Sequence, residues 1–128
     1  FGTVAGGDAG DDAIFGGYGQ DEVYGGEGND IVGGGQDNDN VYGEAGNDAL
    51  YGGLGNDNLW GGPGNDQFYY TDGQGNDIIY DFQWSIDRLR LEGTTISGYT
   101  QLGADCQVNL ATGATLRLIN VDTCRSPL

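Results

Sequence analysis

The chain has 128 residues, of which 27 are Gly and only 2 are Pro, so a collagen-like repeat and a Pro-rich linker are both excluded. Its net charge of −16 excludes nucleic acid as a partner, because a phosphate backbone repels an acidic surface. No run of 18 apolar residues occurs, so the sequence predicts no membrane span.

The charge is distributed unevenly along the chain. Residues 1–87 contain 17 Asp and Glu and no Lys or Arg, whereas residues 88–128 contain four Arg against three acids. A Gly-rich segment with this charge would stay disordered by itself, because self-repulsion and the backbone entropy of Gly both oppose compaction. We therefore expect a cationic partner to be needed for folding.

The chain begins at Phe1 rather than Met, which we interpret as a fragment or a processed product, and residues 1–6 as the end of a degenerate repeat. A nine-residue period then fills residues 7–69, and an eighth unit follows at 72–80 after the insertion of Tyr70 and Thr71. Position eight of every unit is apolar: Ile14, Val23, Val32, Val41, Leu50, Leu59, Phe68 and Ile79. Position six of every unit is Asp: Asp12, Asp21, Asp30, Asp39, Asp48, Asp57, Asp66 and Asp77.

Each unit combines a turn with a short strand. The first six residues are rich in Gly and Asn, which favour turns, and the last three place one apolar side chain between two outward-facing neighbours. Two units would form one coil of 18 residues, with successive coils about 4.8 Å apart. The sequence predicts an all-β fold, with a parallel β-roll of two short sheets over residues 1–82 and the position-eight side chains as its core.

Stacked coils would align the aspartates in two columns. Carboxylates about 5 Å apart repel one another unless a cation lies between them, and a site built only from oxygen favours Ca²⁺ over Mg²⁺. The alternative is that individual Asp side chains only cap their turns. Pairing each turn with the next predicts about six Ca²⁺ sites, with the terminal units around Asp12 and Asp77 the least regular. We expect turn carbonyls to complete the sites, from the first-position glycines Gly16, Gly25, Gly34, Gly43, Gly52 and Gly61.

The unit resembles the G-G-x-G-x-D-x-U-x nonapeptide of the RTX (repeats-in-toxin) family, in which U is apolar, over residues 7–82. The resemblance implies a Ca²⁺-binding parallel β-roll and type I secretion. Because cytosolic Ca²⁺ is too low to fill weak sites, we expect the chain to fold only after export, in millimolar extracellular Ca²⁺.

Position nine faces outward and is mostly aromatic. Two interpretations are open: the rings stabilise the sheets by cross-strand contacts, or they form a contact surface for polysaccharide or a neighbouring subunit. The second sheet would carry Phe15, a gap at Gly33, then Tyr51 and Tyr69. On the first sheet the predicted ladder is Tyr24, Tyr42, Trp60 and Tyr80.

Residues 83–128 no longer follow the period and are predicted to form a small antiparallel β cap over one end of the roll. The segment from Asp81 to Leu91 resembles the one that closes RTX blocks in secreted proteases and mannuronan epimerase modules. Alternating residues at 106–110 and 114–118 predict a hairpin with its turn at 111–113.

The two cysteines are Cys106 and Cys124. In an extracellular protein the pair predicts one disulfide, closing a loop of roughly 20 residues and contributing about 3 kcal/mol on the chain-entropy model. RTX proteins commonly lack cysteine, so the pair departs from the family pattern. The alternative is two small buried residues that do not meet.

No set of catalytic residues is visible, because His is absent and the regularly spaced carboxylates are assigned to Ca²⁺. The sequence therefore predicts a secreted, non-enzymatic module, a structural or assembly element forming a homo-oligomer or filament. The alternative is a C-terminal accessory domain of a secreted protease, lyase or epimerase, used for targeting or polysaccharide binding. A third interpretation is a segment of a cell-surface adhesin.

Overall fold

The computed structural model describes residues 4–71, 75–121 and 124. The first half of the degenerate repeat predicted at residues 1–6 and the first three residues of the eighth unit lie outside this part. Every element in it is a strand, as predicted: β1 (Val4–Gly6), β2 (Ala13–Gly17), β3 (Glu22–Tyr24), β4 (Ile31–Gly35), β5 (Asn40–Tyr42), β6 (Ala49–Gly53), β7 (Asn58–Trp60), β8 (Gln67–Thr71), β9 (Asp77–Ile79), β10 (Arg88–Glu92), β11 (Ile96–Leu102), β12 (Asp105–Leu110) and β13 (Thr115–Leu118).

Odd and even strands of the repeats fall into two separate parallel sheets. One sheet has the order β1-β3-β5-β7-β9 and continues through β13, β12 and β11; the other has the order β2-β4-β6-β8-β10. Neighbouring strands pair with a shift of 18 residues, as in Val23 with Val41, and of 20 residues across the insertion, as in Leu59 with Ile79. The predicted β-roll and its 18-residue coil are confirmed.

The core between the two sheets consists of the position-eight side chains. From Val23 to Ile79 they are at most 2% exposed, whereas Ile14 in the first coil is only partly buried. The core continues without a break into the C-terminal segment through Phe82, Val108 and Leu118. One apolar residue in each unit of nine is therefore enough to form a core, because each packs on the equivalent residue of the neighbouring coil.

The strands differ in length between the sheets. Among the repeats, the strands of the first sheet have the three residues expected from the sequence, but those of the second sheet have five, because pairing continues into the first two residues of the next unit. Within this longer ladder Gly35 pairs with Gly53 at a positive φ, and a Cβ on Gly35 would collide with the carbonyl of Gly17. Paired glycines let the coils approach this closely.

The C-terminal segment extends both sheets of the roll. Strand β10 pairs in parallel with β8, and β13 pairs in parallel with β9. The strands β11, β12 and β13 are antiparallel, and the N–H of Gly113 donates to the carbonyl of Leu110 in the predicted hairpin turn. The boundary predicted between residues 82 and 83 stays a prediction, because the sheets run across it.

The predicted disulfide between Cys106 and Cys124 is present, with the two Cα atoms 5.0 Å apart. It fixes Cys124 against strand β12, and the salt bridge from Arg117 to Asp105, 3.0 Å long, joins β13 to the same strand. In the described part of the chain, no helix is long and apolar enough to cross a membrane.

Candidate metal centres

The position-six aspartates lie in two columns, one along each edge of the roll. In each column the backbone N–H of one Asp donates to Oδ1 of the Asp one coil later, at 2.8–2.9 Å. One column contains Asp12, Asp30, Asp48 and Asp66, and the other contains Asp21, Asp39, Asp57 and Asp77.

The second carboxylate oxygen is the chemically unusual atom of these turns. Among the described residues, Oδ2 is buried and has no hydrogen-bond partner in five interior aspartates, each at most 2% exposed. Burying an ionised carboxylate oxygen without a donor destabilises the folded state by roughly several kcal/mol unless a cation compensates its charge. The five are Asp30, Asp39, Asp48, Asp57 and Asp66.

The first-position glycines form a cradle around this oxygen. A Cβ on Gly34 would lie 2.6 Å from Oδ2 of Asp39 and 2.8 Å from the carbonyl oxygen of Gly52. At Gly43 the corresponding distances are 2.7 Å to Oδ2 of Asp48 and 2.8 Å to the carbonyl oxygen of Gly61. A carboxylate oxygen and a carbonyl oxygen of the next coil therefore lie beside the same small space.

This donor set fits calcium. It contains hard oxygens only, from a carboxylate and from main-chain carbonyls, which are the ligands that Ca²⁺ prefers. No group of three or more Cys, Asp or Glu side chains that could hold a metal lies among the described residues. Main-chain oxygens would therefore have to supply much of each coordination shell.

Burial changes the acidity of the columns. Desolvation raises the pKa of Asp39 to about 6, of Asp48 and Asp77 to about 7, and of Asp57 and Asp66 to about 8. Near neutral pH these carboxyls would be partly protonated in the absence of a cation. A divalent ion would favour the ionised form, so protons and metal compete for the same oxygens.

Comparison with known proteins identifies the repeat. The family model described as RTX calcium-binding nonapeptide repeat (4 copies) matches residues 6–41 and again residues 33–68. Residues 6–68 are RTX calcium-binding repeats. The resemblance seen in the sequence is confirmed, and no curated protein sequence matches the chain.

Two solved structures are similar to the chain as a whole. The crystal structure of the extracellular lipase LipA from Serratia marcescens matches 94% of the chain at 18% identity, with a TM-score of 0.51. This likeness shows the fold, and the chain spans only 36% of the length of the lipase. The solution structure of the AlgE6R3 subunit from the Azotobacter vinelandii mannuronan C5-epimerase matches 94% of the chain and 81% of its own length at 26% identity, with a TM-score of 0.48.

One aspartate of the RTX columns was missed in the sequence. Asp87 continues the Asp66 column, since its Oδ1 accepts the N–H of Asp66 at 2.9 Å, while its Oδ2 accepts the N–H of Gln83 at 2.9 Å. The signal was present: residues 87–90 read D-x-U-x like positions six to nine, and Leu89 pairs with Phe68. The match is hidden in the sequence because the nine-residue spacing has ended and no glycines precede Asp87 in the usual turn positions.

Asp81 ends the repeats in a second way that the sequence did not reveal. In earlier coils a first-position N–H donates to a main-chain carbonyl, as from Gly43 to Trp60 at 2.8 Å. At the last coil the Asp81 carboxylate accepts the N–H groups of Gly61 at 2.8 Å and Gly62 at 2.7 Å instead. A side chain thus replaces the backbone acceptor that a further coil would supply.

Position five forms its own column outside the aspartates. The N–H of Asn47 donates to Oδ1 of Asn29, and the N–H of Asn65 donates to Oδ1 of Asn47, both at 2.8 Å. The sequence predicted only that these residues favour turns. The ladder explains why Asn recurs, because its short amide reaches the turn of the neighbouring coil.

The aromatic residues of the first sheet stack face to face. Ring centroids are 4.6 Å apart for Tyr24 and Tyr42, 4.5 Å for Tyr42 and Trp60, and 4.5 Å for Trp60 and Tyr80, with planes within 10° of parallel. The faces of the inner rings are occupied by other rings. This geometry favours the stabilising interpretation over sugar binding on the ring faces.

Proposed function

We propose that the chain is an extracellular, non-catalytic RTX module that acts as a structural or assembly element and folds when calcium fills its turns. The observation that supports this is the row of buried Oδ2 atoms without hydrogen-bond donors. The fold encloses carboxylates that stay ionised only where a cation compensates their charge.

We assign the calcium ligands to the two aspartate columns and to the carbonyls of the first-position glycines, Gly16 through Gly61. About six ions are expected, one for each pair of neighbouring turns in a column. A bound calcium ion would supply the positive charge that lets these carboxylates stay ionised while buried. The same charge would offset the repulsion within residues 1–87.

The environment is inferred from two features. A disulfide persists in oxidising compartments, and weak oxygen-only calcium sites fill at extracellular calcium levels. We therefore propose that the module is secreted and that the change in calcium concentration across the cell envelope controls its folding.

The assembly role rests on the N-terminal end of the roll. Strands β1 and β2 lie at the N-terminal end of their sheets in the described part of the chain, and Val4 in β1 and Phe15 in β2 are 75% and 62% exposed. Exposed parallel edges can pair with another coil. A second copy of the chain, in a homo-oligomer or filament, is the partner we propose.

A second candidate function is polysaccharide binding by an accessory module of a secreted enzyme. One observation favours it: Arg88 and Arg90 are exposed on the outward face of β10, where Arg90 pairs with Tyr69. Glu92 is exposed on the same face, so the face carries two positive charges and one negative charge, and its excess positive charge suits an acidic polysaccharide. Retention of the chain on an immobilised polyuronate, lost in an Arg88→Gln/Arg90→Gln variant, would favour this role, whereas unchanged retention would exclude this patch.

The calcium proposal is tested by titration of the metal-free chain, with circular dichroism and calorimetry as readouts. We expect β-sheet signal to appear with calcium but not with equimolar Mg²⁺, at a stoichiometry near six. Asp48→Asn should bind fewer ions and bind them more weakly. The matched control is Asp37→Asn, because Asp37 is exposed and lies outside both columns. A sheet signal that is indifferent to calcium, or equal losses in the two variants, would contradict the assignment.

The assembly proposal has a separate test. Sedimentation velocity in calcium should show a species larger than one chain, and chelator should return it to a monomer. A chain that binds calcium, folds and stays monomeric at all concentrations would remove the assembly role while leaving the metal assignment intact.

A further inference from the structure

We propose that the stacked tyrosine pairs Tyr24–Tyr42 and Tyr51–Tyr69 are sites of oxidative cross-linking, at which a one-electron oxidant of the peroxidase and hydrogen peroxide class joins neighbouring coils through dityrosine. This modification is separate from calcium binding. It follows from how the roll arranges its outward-facing rings.

The geometry of both pairs favours coupling. The rings of Tyr24 and Tyr42 have centroids 4.6 Å apart and planes 6° from parallel, and those of Tyr51 and Tyr69 are 4.4 Å apart and 11° from parallel. The residues of each pair are direct partners in parallel strands, so the two phenols extend in the same direction from equivalent positions. A tilt of the rings is enough to bring an ortho carbon of each ring together.

The chemistry requires two oxidations. Each phenol loses one electron and one proton to give a phenoxyl radical, and the two radicals form a carbon–carbon bond between ring carbons ortho to oxygen. Each ring then loses its ortho hydrogen from carbon to oxygen by tautomerisation, which restores both phenols. One hydrogen peroxide accepts the two electrons and two protons and is reduced to two waters.

The first pair has a proton acceptor in place. The hydroxyl of Tyr24 donates to Oε1 of Glu22 at 2.9 Å, so the phenolic proton can move to a carboxylate as the electron leaves. In the second pair the hydroxyl of Tyr69 donates to Oε1 of Gln67 at 3.0 Å, and an amide is a far weaker base. We therefore expect the Tyr24–Tyr42 link to form faster.

Two features of the chain compete with coupling inside the stacked pairs. Tyr18 is 76% exposed and Tyr99 is 39% exposed, so accessibility alone would direct oxidation to these residues and produce links between chains. Trp60 stacks on Tyr42 at 4.5 Å and offers the radical a competing route. Coupling within a stacked pair therefore has to be faster than transfer of the radical to Trp60 or to an exposed tyrosine.

The link would change how the roll depends on calcium. It would join two coils covalently on the outward face of the sheet, away from both aspartate columns. A cross-linked chain should therefore keep its neighbouring coils in register when calcium is removed, and refold faster when it is restored.

The test treats the calcium-loaded chain with peroxidase and hydrogen peroxide at low protein concentration, and maps the products by mass spectrometry. Cleavage before Asp places each tyrosine of interest in a different fragment: Tyr24 in 21–29, Tyr42 in 39–47, Tyr51 in 48–56 and Tyr69 in 66–71. We expect fragments 21–29 and 39–47 to be linked, with the loss of two hydrogens, and a slower link between 48–56 and 66–71. The yield per chain should not change with dilution.

Variants complete the test. Tyr42→Phe should abolish the first link and leave the second, while the matched control Tyr18→Phe should leave both, and circular dichroism in calcium verifies that each variant folds. Links between chains that involve Tyr18 or Tyr99 in place of the stacked pairs, or oxidation of Trp60 without dityrosine, would each overturn the proposal. Circular dichroism in chelator separates this test from the calcium proposal, because the same links in a chain that stays folded without calcium would contradict calcium-dependent folding and not the cross-linking sites.

Discussion

Asp48 in the roll and Asp87 in the C-terminal segment are both buried, and each accepts a backbone N–H on Oδ1 from the preceding coil. Their second oxygens differ. Oδ2 of Asp87 accepts the N–H of Gln83, whereas Oδ2 of Asp48 has no donor. Backbone N–H groups satisfy both oxygens of Asp87, whereas in the repeats one oxygen is left for the cation that we propose.

Acidity differs between the buried column and Asp105 in the C-terminal segment. Burial raises the pKa of Asp48 to about 7 and also raises the pKa of Asp87, whereas the N–H of Asn120 and then Arg117 lower the pKa of Asp105. We therefore expect the roll to depend on calcium and the C-terminal segment to depend on its hydrogen bonds and disulfide.

The largest expected effect comes from pH in the metal-free chain. Because the folded-state pKa values of five aspartates lie above the ordinary value, the folded roll binds protons more tightly than the unfolded chain between about pH 4 and 8. Stability is then greatest at low pH and is lost as pH rises through 6 to 8.

Circular dichroism in chelator, recorded from pH 8 down to pH 5, tests this expectation, because a chain without sheet signal at pH 8 should gain it as the buried carboxyls become protonated. The metal-free roll should be more stable at pH 5. In excess calcium the order should reverse, since protons then compete with the ion. A metal-free chain that is more stable at pH 8 would mean that the buried carboxyls are compensated in some other way.

The next effect is steric. In Gly43→Ala the new Cβ would lie 2.7 Å from Oδ2 of Asp48 and 2.8 Å from the carbonyl oxygen of Gly61, so the cradle cannot keep its shape. We expect a loss of about 3 kcal/mol in calcium, near the upper end for overpacking, together with a lower calcium stoichiometry.

The control for this variant is Gly98→Ala in β11, where a Cβ would meet nothing within 4 Å. It should change stability by no more than about 0.5 kcal/mol, as surface substitutions usually do. Comparable losses in the two variants, measured by urea denaturation in calcium, would remove the cradle argument.

Asp87→Asn sharpens the comparison between the two carboxylates. Its amide would present N–H to the N–H of Gln83 or of Asp66, so one buried donor is left unpaired at a cost of about 2 kcal/mol. Calcium stoichiometry by calorimetry should nevertheless equal that of the unaltered chain, unlike that of Asp48→Asn. A missing ion in Asp87→Asn would show that this residue is also a ligand.

The smallest effect is expected from the aromatic ladder. Tyr42→Leu removes two stacking contacts but keeps an apolar side chain on the sheet, so thermal unfolding in calcium should show a loss of about 1 kcal/mol. The calcium midpoint should barely move, because Tyr42 lies on the sheet face and not in a turn. A large shift of that midpoint would connect the ladder to the metal sites.

Much of the fold could be predicted because the repeat makes local and global patterns agree. Val41 and Asp39 recur at fixed offsets, so one unit specifies the core, the column and the pairing register of all the others. The hairpin and the disulfide were also predictable, from alternating residues and from a pair of cysteines.

The remaining features depend on contacts between distant segments. Asp87 joins its column 21 residues after Asp66, where the nine-residue spacing has ended, and β10 and β13 join opposite sheets, which no periodicity specifies. Strand length in the second sheet was likewise underestimated, because pairing between Gly35 and Gly53 arises from the stacking of whole coils.

The register of 18 residues also determines how such a protein can change length. Duplicating or deleting 18 residues adds or removes a whole layer, about 4.8 Å thick, and leaves every remaining side chain on its original side. A change of nine residues would exchange the two edges and bring Tyr24 onto the surface that carries Tyr51. Lengthening by an even number of units therefore preserves both outer surfaces, whereas an odd number exchanges them.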